Sequence, residues 1–295
     1  MNTILLVGGE LCERTARLLD PARWTCIGLR RRRVVPDREN PISWYQADVR
    51  SPQSLALLDD DLFSRITHIL YAPSPDSRTA LHYAQTYSLG FRRMLSTLPA
   101  RCVRNLQRCV LVSSSVVWGP SEDWVDESTP VQHTGFRAEA LLDAEAALER
   151  FLPPGTGIAL RLSGLYGPGR LRLLQGLQAG TIQAPAGPGH WANRIHIDDA
   201  AGACAHLLTL SDPQPLYIGT DDRPLPTAEL YNALTRMMKV ALPALRPLAP
   251  SGKRLSNARL RASGWRPTWP TALQWYAENV EVAFSGPVSG ANDLR

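Results

Sequence analysis

Ile4-Leu5-Leu6-Val7-Gly8-Gly9-Glu10-Leu11-Cys12-Glu13 is the stretch on which the fold turns. Four consecutive aliphatic residues with no polar alternate predict a short strand buried on both faces. Gly8 and Gly9 predict a tight turn. Leu11, Thr15, Leu18 and Leu19 then recur at helical spacing, and Pro21 ends the helix.

Outward from this unit the same alternation repeats. Thr25–Leu29 reads as a second strand and runs straight into Arg30-Arg31-Arg32-Arg33. A third strand ends at Asp48. Ser51 then serves as a helix N-cap, with Pro52 at the first helical position. Ile66–Ala72, Cys109–Ser113 and Gly157–Leu162 are further apolar strands. Between them the stripes Ala84, Tyr87, Phe91, Met94, Leu95, Leu98 and Ala138, Leu141, Leu142, Leu148 mark helices. Strands alternating with helices imply an α/β fold. It is a Rossmann-like, doubly wound parallel sheet with helices on both faces. After Leu162 the composition changes to glycine- and proline-rich loops, and from Leu216 short apolar runs alternate with Pro-rich turns. The expected division is a Rossmann domain over 1–165 plus about 190–212. A small C-terminal substrate lobe covers 166–189 and 213–285, and 286–295 is a tail.

Composition removes several classes. With 295 residues, 44% hydrophobic and 20% charged, the chain can bury a large core and is no disordered protein. The apolar run Ile4–Val7 is far short of the roughly 20 residues that span a bilayer. No membrane partner and a cytoplasmic location are therefore expected. The formal charge is +5, with basic residues spread along the chain rather than gathered on one face, so nucleic acid is not an expected partner. Cys12, Cys26, Cys102, Cys109 and Cys204 form no CxxC pair, which argues against zinc and a disulfide framework.

Ligands of open α/β sheets bind just past the strand ends. The residues there are Gly8, Gly9, Leu11, Arg30, Arg31, Asp48, Ala72 and Ser113, and these are the expected cofactor contacts. A dinucleotide loop carries G-x-G-x-x-G at this turn. Here Gly8 keeps the first position, while Glu10 and Glu13 hold the other two. A carboxylate there would repel a diphosphate. Either the loop is a modified cofactor site or the site has been abandoned. At the end of the second strand an acid reads the ribose of NAD, and arginine reads the 2′-phosphate of NADP. Arg30 and Arg31 make NADP the expected cofactor, with NAD possible; a solvated basic turn is the alternative. The Asp48 carboxylate could accept from an adenine amino group, or cap the next helix.

Further strings resemble a known family. Val112-Ser113-Ser114-Ser115-Val116-Val117-Trp118-Gly119 is similar to V-S-S-x-x-V-Y-G. Asp126-Glu127-Ser128-Thr129-Pro130 is similar to D-E-x-T-P. Leu160–Arg170 resembles L-R-x-x-G-I-Y-G-P-G-R. These belong to the extended short-chain dehydrogenases/reductases, in the NAD-dependent epimerase/dehydratase branch. Asn193–Asp199 and Lys253–Leu260 resemble segments of an atypical, YeeZ-like bacterial subgroup. The resemblance implies an oxidoreductase or isomerase acting on a small metabolite such as a nucleotide sugar.

The family chemistry, as the resemblance implies it, uses a Tyr-x-x-x-Lys pair beside a serine. The chain has two lysines, Lys239 and Lys253, with Thr235 and Ala249 four residues before them, so the pair is absent. Alignment on the family helix puts Arg137 at the tyrosine position and Leu141 at the lysine position. Ser114 takes the catalytic serine position, or simply caps the strand end. His133, Glu139 and Tyr71 are the candidate replacement acids. Tyr166, Arg170, Asn193 and Arg194 are expected at the substrate, with Arg161 in the scaffold. His196, Asp198 and Asp199 read as hydrogen bonding and a helix cap from one of the aspartates, so no metal is expected. The competing expectation is a non-catalytic member that senses a dinucleotide or metabolite, or binds a protein. A small-molecule substrate is the expected partner, and a homodimer is possible.

Overall fold

The computed structural model describes all residues except 33–40, 57–59, 122, 133–134 and 286–295. Arg33, His133 and the tail therefore lie outside the described residues. Seven parallel strands form the central sheet: β1 (Asn2–Gly8), β2 (Trp24–Arg30), β3 (Ile42–Gln46), β4 (His68–Ala72), β5 (Arg108–Ser114), β6 (Gly157–Leu162) and β7 (Leu216–Gly219). Their order is β7-β6-β5-β4-β1-β2-β3. The reversal of winding beside β1 puts a crevice at the carboxyl ends of β1 and β4.

The strand pleat sorts the core onto two faces. Ile4 and Leu6 point to the side covered by α1 (Glu10–Ala16) and by the later helix Ile197–Thr209. Leu5 and Val7 point to the side covered by α2 (Leu89–Thr97) and α3 (Phe136–Phe151). Ile4, Leu5 and Leu6 are all 0% exposed, as a strand buried on both faces requires. Each such side chain contributes roughly 1.5–3 kcal/mol of burial. Ser51 accepts from the Ser54 N–H at 3.2 Å, and Pro52 opens the short helix Pro52–Ala56, as expected. The five cysteines are buried and free.

The structure departs from the sequence reading in four places. β3 stops at Gln46, so Asp48 lies beyond the strand rather than ending it. The helix leading into α2 carries a π turn at Ala84–Ser88, where the Tyr71 hydroxyl donates to the Thr86 carbonyl at 2.5 Å. Leu18 is exposed, because α1 ends at Ala16 and the chain turns there. Leu216–Gly219 pairs with β6 as the edge of the main sheet, although the division at 213 assigns it to the lobe.

A separate hydrophobic cluster gathers Tyr166, Leu174, Leu225, Leu230, Leu234 and Trp275. It lies among the helices Arg172–Gln178, Thr227–Met237 and Ala272–Ser285. Gly164–Tyr166 and Arg194–His196 pair in parallel beside it. The helix Ile197–Thr209, α4, follows directly on the second of these strands. Among the described residues no helix is long and apolar enough to cross a membrane.

Candidate functional site

A cavity of about 590 Å³ opens at the carboxyl ends of β1 to β4. Gly8, Gly9, Arg30, Arg31 and Asp48 line it together, as the strand-end argument expects. Leu11, Ala72 and Ser113 do not. Leu11 is buried in the core. Ala72 pairs with Gly8 across the sheet. Ser113 is turned away, its hydroxyl donating to Glu145 at 2.5 Å.

Gly8 has φ +152°, and a Cβ there would lie 2.5 Å from the Ala72 carbonyl oxygen. The first glycine is thus required by the backbone itself. A Cβ on Gly9 would meet nothing within 4 Å, so the space over the turn is open.

Arg30 is held by a stack built from the sequence upward. Gly28 has no side chain, and the Trp44 indole from β3 occupies that space; a Cβ on Gly28 would sit 2.3 Å from it. The Arg30 guanidinium lies over this ring, 3.9 Å from its centroid. It also pairs with Glu13. Its buried Nε has no hydrogen-bond partner among the described residues. The carboxylate at the third fingerprint position is therefore neutralised by the arginine expected at a 2′-phosphate.

The remaining charges interlock. Arg31 bridges Asp76 in two contacts, at 2.6 and 2.5 Å. Arg50 grips Asp48 at 2.8 Å and reaches Asp76 at 2.7 Å. Hydrogen bonding from Arg31 holds the Asp76 carboxyl down at about 2, with Arg50 adding to the effect. Asp48 is also below its usual range: burial opposes this, but the Arg50 hydrogen bonds outweigh it. Both Asp48 oxygens are engaged by Arg50, so the adenine-amino role must compete with an arginine. Arg32 lines the same cavity, is exposed, and makes no ion pair among the described residues. Arg50, Asp76 and Trp44 are the residues that sequence reasoning missed. Asp76 sits just past β4, which is the one positional signal that could have found it.

Glu10, at the second fingerprint position, accepts from Arg14 at 2.9 Å and is bridged by Arg170 at 2.7 Å. Burial alone would raise its pKa, but hydrogen bonds from Arg170 and Arg14 bring it below the usual range. Arg170 is thus placed beside the glycine turn.

The positions of the family's proton-transfer pair look different. Leu141 is 1% exposed and packs with Val117, Trp118 and Ala138, while Arg137 is exposed. Ser114 is half-buried, and its oxygen accepts from the Val116 N–H at 3.3 Å, capping the turn Ser115–Val117. Glu145, four residues after Leu141, makes a two-oxygen contact with Arg161 at 3.0 and 2.6 Å. Arg161 also stacks on Trp118 at 4.4 Å, which makes it the scaffold residue expected. Of the candidate replacement acids, Tyr71 is fully buried with its proton given to Thr86, and burial pushes its pKa well up. Glu139 is exposed.

On the lobe side two expected substrate contacts are otherwise occupied. Tyr166 is 1% exposed, packed between His196 and Tyr276. The Asn193 amide donates to the Lys253 carbonyl at 2.8 Å and accepts from the Leu255 N–H at 2.9 Å. Arg194 is half-buried, its guanidinium packed against Gly164. The helix cap also differs from expectation. His196 caps α4, with Nδ1 accepting from the Asp198 N–H at 3.3 Å. Asp199 is buried and accepts from the N–H groups of Thr268 and Trp269 at 2.7 and 3.0 Å. Burial holds the His196 imidazole down at about 4. No group of three His, Cys, Asp or Glu among the described residues could hold a metal.

No protein-family model matches the chain. It is 31% identical over 158 residues to a 3-diazoavenalumate denitrifying reductase of Streptomyces, a match covering 45% of this chain. It is 31% identical over 153 residues to Protein YeeZ of Escherichia coli K12, covering 50% of this chain. The matched regions span 50% and 52% of those two relatives. Among solved structures, MoeE5 in complex with UDP-glucose and NAD superposes with a TM-score of 0.74 over 96% of this chain and all of that one; at 16% identity this speaks for the fold alone. A Methylobacillus flagellatus protein classed as an NAD-dependent epimerase/dehydratase is 32% identical, with a TM-score of 0.77 over 95% of this chain and 98% of that one. A likeness of that identity along nearly the whole length means that the chain belongs to the NAD-dependent epimerase/dehydratase family of extended short-chain dehydrogenases/reductases.

Proposed function

We propose that the chain is an NADP(H)-binding oxidoreductase acting on a small metabolite. The carrying observation is Arg30, set on Trp44 at the cavity wall where an acid would read the ribose of NAD. The cavity suits the group: Gly8 lets the backbone turn, and the space over Gly9 is open. Glu13 is neutralised by Arg30 and Glu10 by Arg14 and Arg170, so neither fingerprint carboxylate meets a phosphate as a bare charge.

Arg30 would bond the 2′-phosphate, with Arg31 and Arg32 beside it, because the guanidinium fork matches phosphate oxygens. When bound, the nicotinamide supplies or accepts a hydride. Ser114, at the end of β5, keeps its hydroxyl proton to donate to a substrate oxygen. The helices around Leu230 and Trp275 would form the substrate side of the cleft, as the proposed division into two parts requires. The reductase name of the Streptomyces relative supports reductive chemistry.

A second reading is a non-catalytic dinucleotide sensor. The buried Leu141 and exposed Arg137 favour it, since neither can take the part of the family's lysine or tyrosine.

Two measurements test these readings. Arg30→Ala with Arg31→Ala should weaken NADPH more than NADH, and equal losses would remove the 2′-phosphate argument. Incubation with NADPH and a panel of small carbonyl compounds and nucleotide sugars should bleach the nicotinamide absorbance if the chain is a reductase. Tight binding with no bleaching across the panel supports the sensor.

A further inference from the structure

Glu10 stands where the second fingerprint glycine would be, and both its oxygens are taken. Oε1 accepts from Arg14, and Oε2 is bridged by Arg170 at 2.7 Å. Arg14 reaches on to Asp198 at the start of α4. Asp198, Arg14, Glu10 and Arg170 thus form one row of alternating charge. The row ties the glycine turn to the loop Gly167–Arg170, which is distant in sequence. The cavity lining runs as far as Gly9, the residue immediately before Glu10. Arg170 is therefore the lobe-side cation set beside the end of the cavity at which a dinucleotide's diphosphate would cross the turn.

We infer that Arg170 and Arg14 are the diphosphate ligands of this chain, and that Glu10 is the carboxylate they hold until the diphosphate arrives. The inference rests on the cofactor reading above. Two arginines facing Glu10 and Asp198 are already balanced in charge. A diphosphate adds two negative charges to that set, and one is shed if Glu10 leaves. The side chain is free to do so: it is 41% exposed, while Arg170 and Arg14 are 27% and 23% exposed. Pairs this wet are weak, and a phosphate takes the guanidinium fork in two contacts where Arg170 now makes one with Glu10. Exchange of Glu10 for diphosphate also releases the loop Gly167–Arg170 from α1. Cofactor binding is thereby coupled to the chain segment that leads into the lobe.

The test is calorimetric titration with NADPH and with adenosine 2′-monophosphate, which carries no diphosphate. Glu10→Gln should tighten NADPH several-fold, and Arg170→Gln should weaken it by roughly tenfold, the effect of one charge-assisted contact. Neither should change the affinity for adenosine 2′-monophosphate. In the Arg170→Gln background the gain from Glu10→Gln should shrink, because the two residues act on each other rather than through the general field. Melting curves and Arg170→Lys guard against misfolding: the lysine variant keeps the charge, loses the fork and should fall between wild type and glutamine. If NADPH binds wild type normally and both glutamine variants leave its affinity unchanged, the exchange is wrong and the cofactor reading stands. Equal shifts for both ligands would assign the effect to bulk charge and likewise overturn the exchange. If wild type binds neither ligand, the cofactor reading fails and takes the exchange with it.

Discussion

Replacing Arg30 by alanine asks the most of the cofactor reading. Three features of the structure set the size of the effect. The guanidinium is stacked on Trp44, paired with Glu13, and about a quarter exposed at 25%. A hydrogen bond to a charged group contributes about 1.5–3 kcal/mol, and the partly wet site argues for the lower half of that range. Removing Arg30 also leaves the Glu13 carboxylate uncovered beside the 2′-phosphate, a repulsion on the order of 1 kcal/mol at this exposure. Together these predict a loss of roughly 60- to 200-fold in NADPH affinity, since about 1.4 kcal/mol is tenfold. NADH lacks the phosphate and loses only contact with the arginine plane, on the order of 0.5–1 kcal/mol, or less than about fivefold. The NADPH-to-NADH preference should therefore fall by about tenfold or more. Quenching of tryptophan fluorescence suits the assay, because Trp44 lies directly under Arg30. A melting curve should show only a small loss, since one half-wet ion pair and one cation–π contact are removed. Parallel losses for the two nucleotides would refute the reasoning, and so would an unchanged ratio.

Other outcomes follow from the same contacts. Glu10→Gly with Glu13→Gly should tighten dinucleotide binding by several-fold in a calorimetric titration, because each change frees an arginine; an unchanged or weaker affinity would contradict the charge account. Glu145→Gln should lower stability by roughly 3–5 kcal/mol in denaturant titration, since it strands Arg161, whose side chain is only 6% exposed. Burial lowers His68 from 6.5 to about 4, so below pH 6.5 the unfolded chain takes a proton that the fold refuses. Stability from this group is lost as pH falls from 6.5 toward 4, up to roughly 3 kcal/mol, and His68→Asn should flatten that limb. Burial raises Asp221 from 3.8 to about 8, so its effect has the opposite sign. Stability falls as pH rises through that interval, and Asp221→Asn should remove the decline while its side-chain oxygen still accepts from the Ala272 N–H.

The strands were readable because a parallel sheet buried on both faces leaves its mark in every residue. Ile4–Val7 and Gly157–Leu162 are apolar almost throughout, and both stand in the sheet. The Ser51–Pro52 start needs only adjacent residues, and it is present. β7 was hidden because Leu216–Gly219 is a short edge strand whose partner lies far back in the chain. His196 as a cap was hidden because its imidazole does what the neighbouring aspartates more often do. In the site, the positions of Gly8, Arg30, Arg31 and Asp48 were legible from the rule that ligands sit past strand ends. Their partners were not. Glu13 with Arg30, Glu10 with Arg170 and Arg31 with Asp76 are joined across loops, and spacing along the chain carries no trace of such pairs. That omission changes the chemistry. Glu10 and Glu13 look prohibitive as isolated carboxylates and prove to be paired ones once their arginines are placed.

Cofactor choice is read most directly by a calorimetric titration of the unmodified chain with NADPH and NADH in the same buffer. Saturable binding of one dinucleotide per chain is expected, with NADPH the tighter by about tenfold or more. Absence of binding by either nucleotide would overturn the assignment of Arg30 to a 2′-phosphate, and so would a preference for NADH.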